Sequence, residues 1–234
     1  MHGCSVKGRV DSKRRKGGAY LWRQYHSGIL EESQNIGRTN ELARIGEHMR
    51  VLLTSAGLET EEIQKYFMDM IGQDMAFVKA LFIPTAAQDA DAIAVLPKCM
   101  NDLLRCGIPA ENISVFDLHR GMSIEELQQY DTVYLCGGKT SYLLQRINDT
   151  GFGQVLMEYI RDNGVVIGVS AGSVIFANNL PENLALIDTK LSVHCAEGEK
   201  PGKVSYPLKQ NIRLTNTCAL AIRDFPDGLE IIGE

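Results

Sequence analysis

The sequence predicts an α/β protein with a doubly wound, mostly parallel sheet. Two observations point there. From Met49 onward, strand-like apolar runs alternate with helix-like amphipathic segments, the pattern of parallel strands joined by crossover helices. One of those runs, Gly164-Val165-Val166-Ile167, leads into Gly168-Val169-Ser170-Ala171-Gly172-Ser173, a serine flanked by small residues where a strand gives way to a helix.

The elements follow in order. Residues 50–55 read as the first strand and 59–71 as an amphipathic helix; residues 78–83 form a second strand stopped by Pro84, and 89–106 a second helix closed by Gly107. Residues 112–118 and 132–136 are the third and fourth strands, with a short helix over 123–129 between them. Residues 141–146 and 153–161 read as helical, and 164–169 is the strand that feeds the serine turn. Beyond it the pattern turns to β: 191–194, 212–214, 218–222 and 229–232. A parallel sheet of this kind carries its site along the carboxyl edge of the strands.

The chain has 234 residues and a net charge of −5, enough for one large α/β domain. Charge is unevenly spread. Residues 1–49 hold nine Lys/Arg against five Asp/Glu, so they are at +4 and the remainder at −9. The run Lys13-Arg14-Arg15-Lys16 lacks apolar periodicity, and residues 1–48 are expected to be a poorly ordered basic extension, with residues 49–234 as the catalytic domain. The acidic body has no basic stripe interleaved with aromatics, which argues against a nucleic-acid substrate. No apolar run approaches the roughly 18 residues of a membrane span, and there is no signal-peptide core, so a cytoplasmic protein is expected. Six cysteines show no zinc-type spacing. Reduced thiols, no structural metal and no cofactor are the expectation; a homodimer is left open.

The serine turn reads as a nucleophile elbow. A sharp strand-to-helix turn needs small neighbours, here Gly168, Ala171 and Gly172, and it holds the central hydroxyl in strained geometry where it is exposed. An ordinary packed turn would use the same glycines, but the flanking strand and helix favour the elbow. Free N–H groups and the dipole of the following helix would stabilise an oxyanion beside Ser170. A second glycine pair, Cys136-Gly137-Gly138-Lys139-Thr140, closes the fourth strand and can bring backbone N–H groups to the same cleft. Walker spacing and a full G-x-G-x-x-G are absent, so a phosphate loop is disfavoured. Of the five histidines, His194 is the one that follows Ser170, at the end of a short strand; His119 is a reserve.

These residues resemble the peptidase E and cyanophycinase group of serine peptidases, whose domain is a class I glutamine amidotransferase-like, flavodoxin-like three-layer sandwich. The resemblance runs from about Met49 to Glu234 and rests on Ile83-Pro84-Thr85-Ala86, on Gly137 to Leu144, on the Gly168 to Ser173 elbow and on the histidine after a short strand. It implies Ser170 as nucleophile, His194 as general base, and an oxyanion hole from the backbone of Ala171 and of Gly138 or Gly137. It also implies short peptides as substrates, with dipeptides bearing N-terminal aspartate as the selective case.

Departures from that pattern are specific. The usual Gly-Gly-Asn is Gly-Gly-Lys here, through Lys139. The family's acid falls between elbow and histidine, where this chain offers only Glu182 and Asp188 as acids, beside Asn178 and Asn179. If one strand carried both Asp188 and His194, about 20 Å would separate them at 3.3 Å per residue. Glu182 is therefore the named acid, and a Ser-His dyad stays open. The arginine segment after the histidine is replaced by Glu197 to Lys203, where Lys200 or Lys203 supplies charge without a bidentate fork. Two other classes remain: an α/β-hydrolase-type esterase, and a non-catalytic small-ligand-binding relative. Glutamine amidotransfer is disfavoured, since that chemistry uses cysteine at the elbow.

Overall fold

Side chains alternate along the strands between two separate apolar clusters, and that alternation builds the layers. The computed structural model describes residues 49–206, 208, 211–223 and 228–233. The expectations for residues 1–48, including the basic run, fall outside the described residues.

Strands β1 (Arg50–Thr54), β2 (Ala80–Ile83), β3 (Ile113–Val115), β4 (Thr132–Leu135) and β5 (Val165–Val169) lie parallel in the order β3-β2-β4-β5-β1. Val51, Leu53, Leu81, Ile83, Val133, Leu135 and Val166 face one cluster, while Leu52, Ala80, Phe82, Tyr134, Val165 and Ile167 face the other. Full burial of each large aliphatic side chain contributes about 1.5–3 kcal/mol. The near-continuous burial of β1, β2, β4 and β5 is what helices on both faces require, while the edge strand β3 is largely exposed.

Helices α1 (Glu61–Ile71) and α2 (Ala90–Arg105) cover the second face, through Ile63, Phe67 and Met70 of α1 and Cys99 and Leu103 of α2. Their starts are legible as caps: the Thr60 side chain accepts the Ile63 N–H at 3.3 Å, and that of Asp89 the Ala92 N–H at 2.9 Å. Helices α3 (Ile124–Leu127), α4 (Thr140–Thr150) and α5 (Phe152–Arg161) cover the first face. Gly151, at φ 71°, ends α4 and starts α5, the left-handed turn a glycine makes at little cost.

The elbow is followed by a single short helix, α6 (Ala171–Val174), and then by turns. The helix expected after the elbow is thus a single turn, and its dipole is correspondingly small.

The later strands do two jobs. β9 (Cys218–Arg223), β10 (Leu229–Gly233) and β7 (Gly202–Val204) extend the main sheet antiparallel beyond β1, giving eight strands in all. β6 (Leu191–Ser192) and β8 (Ile212–Arg213) form a separate two-stranded parallel sheet. β7, rich in Gly and Lys, has no apolar alternation and was not legible in the sequence.

Among the described residues, no helix is long and apolar enough to cross a membrane, and no group of His, Cys, Asp and Glu could hold a metal ion. Cys99, Cys106, Cys136, Cys195 and Cys218 are free thiols.

Candidate active site

The end of β1 organises the site. Thr54 Oγ1 donates to the Gly168 carbonyl at 3.0 Å and accepts the Gly57 N–H at 3.0 Å. Its carbonyl accepts the Ser170 N–H at 3.0 Å and the Ser173 hydroxyl at 2.7 Å. One fully buried threonine therefore clamps the elbow on both sides of Ser170. Nothing in the sequence singled it out.

Held this way, Ser170 has φ 49° and ψ −108°, a strained conformation for a non-glycine residue that costs about 1–3 kcal/mol. The glycines beside it are steric necessities. A β-carbon on Gly168 would sit 2.5 Å from the Gly172 carbonyl oxygen, and one on Gly172 2.2 Å from the Leu135 carbonyl oxygen. The first turn of α6 can fold back onto β4 and β5 only because both side chains are missing.

The glycine pair after β4 comes to the same place. A β-carbon on Gly137 would lie 3.1 Å from Ser170 Cβ and 3.8 Å from its Oγ. Gly138, at φ 137°, packs against Ala86, and the Lys139 N–H donates to the Ala86 carbonyl at 2.7 Å. Ala171 begins α6, where an N–H has no intrahelical acceptor. Backbone from three strand ends thus surrounds the serine.

The small sheet delivers the histidine. The Ile212 N–H donates to the Lys190 carbonyl at 3.0 Å, that of Leu214 to the Ser192 carbonyl at 2.8 Å and that of Cys195 to the Leu214 carbonyl at 3.0 Å, so the ladder carries on past β6 to His194. His194 Nε2 lies 3.0 Å from Ser170 Oγ. Its Nδ1 lies 2.8 Å from Asn216 Oδ1. With the amide oxygen as acceptor, Nδ1 carries the proton and Nε2 keeps a lone pair towards the serine hydroxyl.

Asn216 occupies the turn between β8 and β9, closed by the Cys218 N–H on the Thr215 carbonyl at 3.3 Å. Because β9 pairs with β1 with Ala219 opposite Thr54, that turn falls next to Ser55. Ser55 Oγ donates to Asn216 Oδ1 at 3.3 Å and accepts the His194 N–H at 2.6 Å.

The structure thus brings Ser170, His194, Gly137, Gly138 and Ala171 together, and it does not bring Glu182 to the imidazole. Glu182 is exposed, at φ 60°, and its carbonyl accepts the Asn148 side-chain amide at 3.3 Å. Asp188 is exposed too, and its carboxylate meets the Tyr206 hydroxyl. The acceptor on Nδ1 is Asn216, a neutral amide beyond the histidine in sequence, where a search for an acid between elbow and histidine does not look. His119 sits after β3 with its ring 5.9 Å from that of Phe116. Lys203, offered as a substrate cation, lies on β7 opposite Glu230, at the far edge of the sheet from β5.

Known proteins share this arrangement of elements. The profile of Peptidase family S51 matches residues 51–189, from β1 through the elbow. An uncharacterized peptidase of Listeria monocytogenes, Lmo0363, is 29% identical over 113 residues, 48% of this chain and 55% of its own. One from Pasteurella multocida, PM1590, is 27% identical over 114 residues, 49% of this chain and 55% of its own. The chain spans about half the length of the curated relatives it matches. Among solved structures, a protein assigned to peptidase E from Listeria monocytogenes EGD-e superposes with a TM-score of 0.59 at 22% identity, over 80% of this chain and 98% of the other. A peptidase from an acI-B1 actinobacterium gives 0.58 at 16% identity, over 81% and 89%. The fold is the one these two peptidase structures share, a class I glutamine amidotransferase-like three-layer sandwich. With the family profile covering more than half of the sequence and the fold in agreement, the chain belongs to peptidase family S51.

Proposed function

We propose that this protein is a serine-type hydrolase that cleaves short peptides through an acyl-enzyme on Ser170. The observation that carries the reading is the 3.0 Å approach of His194 Nε2 to the hydroxyl of a strained elbow serine, with Nδ1 held by Asn216.

Ser170 Oγ attacks the scissile carbonyl while His194 Nε2 takes its proton. The oxyanion of the tetrahedral intermediate is met by the N–H of Ala171 and of Gly137 or Gly138. Collapse expels the amine, which receives the proton from His194. Water, deprotonated by the same nitrogen, then attacks the acyl-enzyme and frees the acid and Ser170. Asn216 fixes the tautomer throughout but carries no charge to balance the imidazolium. In this respect the site follows the Ser/Cys-His-amide logic rather than the carboxylate one.

Lys139, directly after the glycine pair and exposed, supplies a cation near the cleft and favours peptides with a carboxylate close to the scissile bond, N-terminal aspartyl dipeptides among them. The free thiols fit a cytoplasmic enzyme. A ligand-binding relative without turnover is the second reading, and the neutral Asn216 is what favours it.

Digestion of a peptide library containing Asp-X dipeptides, read by mass spectrometry for wild type and Ser170→Ala, tests the proposal. Cleavage by wild type that disappears in folded Ser170→Ala is expected. Equal cleavage by both removes Ser170 from the chemistry; saturable binding with no cleavage and no fluorophosphonate labelling establishes the second reading.

A further inference from the structure

Ser55 meets neither of the reacting side chains, yet its hydroxyl is bonded to the His194 main chain and to the Asn216 amide that holds the imidazole. It is fully buried at the carboxyl end of β1. Its oxygen accepts the His194 main-chain N–H at 2.6 Å, and its proton goes to Asn216 Oδ1 at 3.3 Å. His194 has φ 56°, in the left-handed region that only a few per cent of non-glycine residues occupy, histidine more often than most. Something must hold it there.

We propose that Ser55 is a positioning residue: its single hydroxyl locks the His194 backbone and the Asn216 amide together, so that the imidazole keeps its proton on Nδ1 and presents Nε2 to Ser170. This inference rests on the hydrolase reading above and deepens it.

The bookkeeping of donors and acceptors supports the assignment. Asn216 Oδ1 has two lone pairs, one for His194 Nδ1–H and one for the Ser55 hydroxyl. Ser55 Oγ has one proton and two lone pairs; the proton goes to that oxygen, and one lone pair takes the His194 N–H. If Asn216 turned its NH₂ inward, Nδ1 would have to accept, and the ring proton would move to Nε2, facing Ser170 as a donor. The serine could then no longer surrender its proton to the ring. Asn216 is exposed and sits in a turn, so its own packing does little to prevent that rotation. Ser55 opposes it, because turning the amide oxygen away would take from the buried Ser55 hydroxyl the acceptor of its proton. The carboxylate of an acidic residue needs no such partner, because both of its oxygens accept.

The test uses Ser55→Ala and, because Ala leaves a buried N–H without its acceptor, also Ser55→Cys, which keeps the volume with a weak hydrogen-bonding group. Nitrogen-15 NMR of ¹⁵N-histidine-labelled full-length protein near pH 8.5, where an ordinary imidazole is neutral, reports the His194 tautomer. The resonance is assigned by its loss in His194→Gln. A single Nδ1–H form is expected in wild type and a mixed population in the variants. Fluorophosphonate labelling of Ser170 and kcat for the best library peptide are expected to fall about tenfold or more in Ser55→Ala, with KM little changed and Ser55→Cys in between. An unaltered tautomer, or a labelling rate within twofold of wild type in a folded variant, overturns the proposal. If wild type is neither labelled nor active, the hydrolase reading falls, and the tautomer comparison alone still decides the role of Ser55.

Discussion

His194 Nδ1 and Asn216 Oδ1 are 2.8 Å apart, so the group that orients the candidate base is an amide. An amide accepts the Nδ1 proton as well as a carboxylate does but offers no charge to the imidazolium formed in catalysis. Asn216→Ala removes the acceptor and with it the fixed tautomer, and a fall in kcat is expected, up to the roughly 10⁴ that a serine triad loses when its histidine takes the wrong tautomer. Asn216→Asp keeps an acceptor and adds a negative charge within hydrogen-bond reach of the ring. That charge stabilises the imidazolium formed as Ser170 attacks. Asn216→Asp should therefore keep or raise kcat where Asn216→Ala loses it, and steady-state kinetics on both variants measures it.

The two glycines after β4 should separate chemistry from stability. Gly137 does not have positive φ, and a β-carbon there presses on Ser170 at 3.1 Å without meeting backbone closer than 3.5 Å. Gly137→Ala should therefore fold normally and label more slowly, by about tenfold. Gly138 combines φ 137° with a β-carbon 2.1 Å from the Ala86 carbonyl oxygen, so the loop itself must shift. Gly138→Ala should lose about 1–3 kcal/mol of stability as well as activity. Denaturant melts alongside labelling rates distinguish the two.

Glu182→Gln should leave kcat/KM within about twofold of wild type, because this side chain is exposed and its observed bond is through the main-chain carbonyl. Its backbone is at φ 60°, which glycine adopts freely. Glu182→Gly should accordingly be tolerated in thermal melts, without the loss a helix or strand glycine would cause. A loss of kcat/KM of a hundredfold in folded Glu182→Gln would return the carboxylate to the mechanism.

The parts of this site that were legible are those encoded by local sequence. Strand and helix periodicity and the small residues around Ser170 each act within a few positions, and their elements lie within a few residues of where the pattern placed them. Thr54, Ser55 and Asn216 were not legible, since each works only through partners brought close by sheet register. Thr54 meets Gly168 because β1 pairs with β5, and Asn216 meets Ser55 because β9 pairs with β1. An isolated threonine, serine or asparagine carries no chemical signature in one dimension. Asn216 also lies beyond the histidine and carries no charge, so neither its order along the chain nor a carboxylate marks it.

Beneath β4, on the face away from the elbow helix, Asp102 is almost wholly buried; its Oδ2 accepts the Tyr134 hydroxyl at 2.7 Å and the Leu58 N–H at 2.9 Å. Burial pushes its carboxyl above the ordinary 3.8, and the two hydrogen bonds only partly oppose this. The folded state therefore holds the Asp102 proton more tightly than the unfolded chain does. Its contribution to stability is fully present below the unfolded pKa and is lost as pH rises through the raised folded value. Asp102→Asn keeps an oxygen that can accept from both partners and has nothing to titrate. The stability of wild type relative to Asp102→Asn should thus decline as pH rises from about 3.5, then level off once the folded carboxyl has ionised. Asp102→Ala instead strands the Tyr134 hydroxyl and the Leu58 N–H, and should be about 2–4 kcal/mol less stable than Asp102→Asn across the whole range. Urea unfolding of the three proteins at several pH values provides the comparison. A wild-type advantage over Asp102→Asn that grows with pH would mean that the hydrogen bonds, rather than burial, govern this carboxyl.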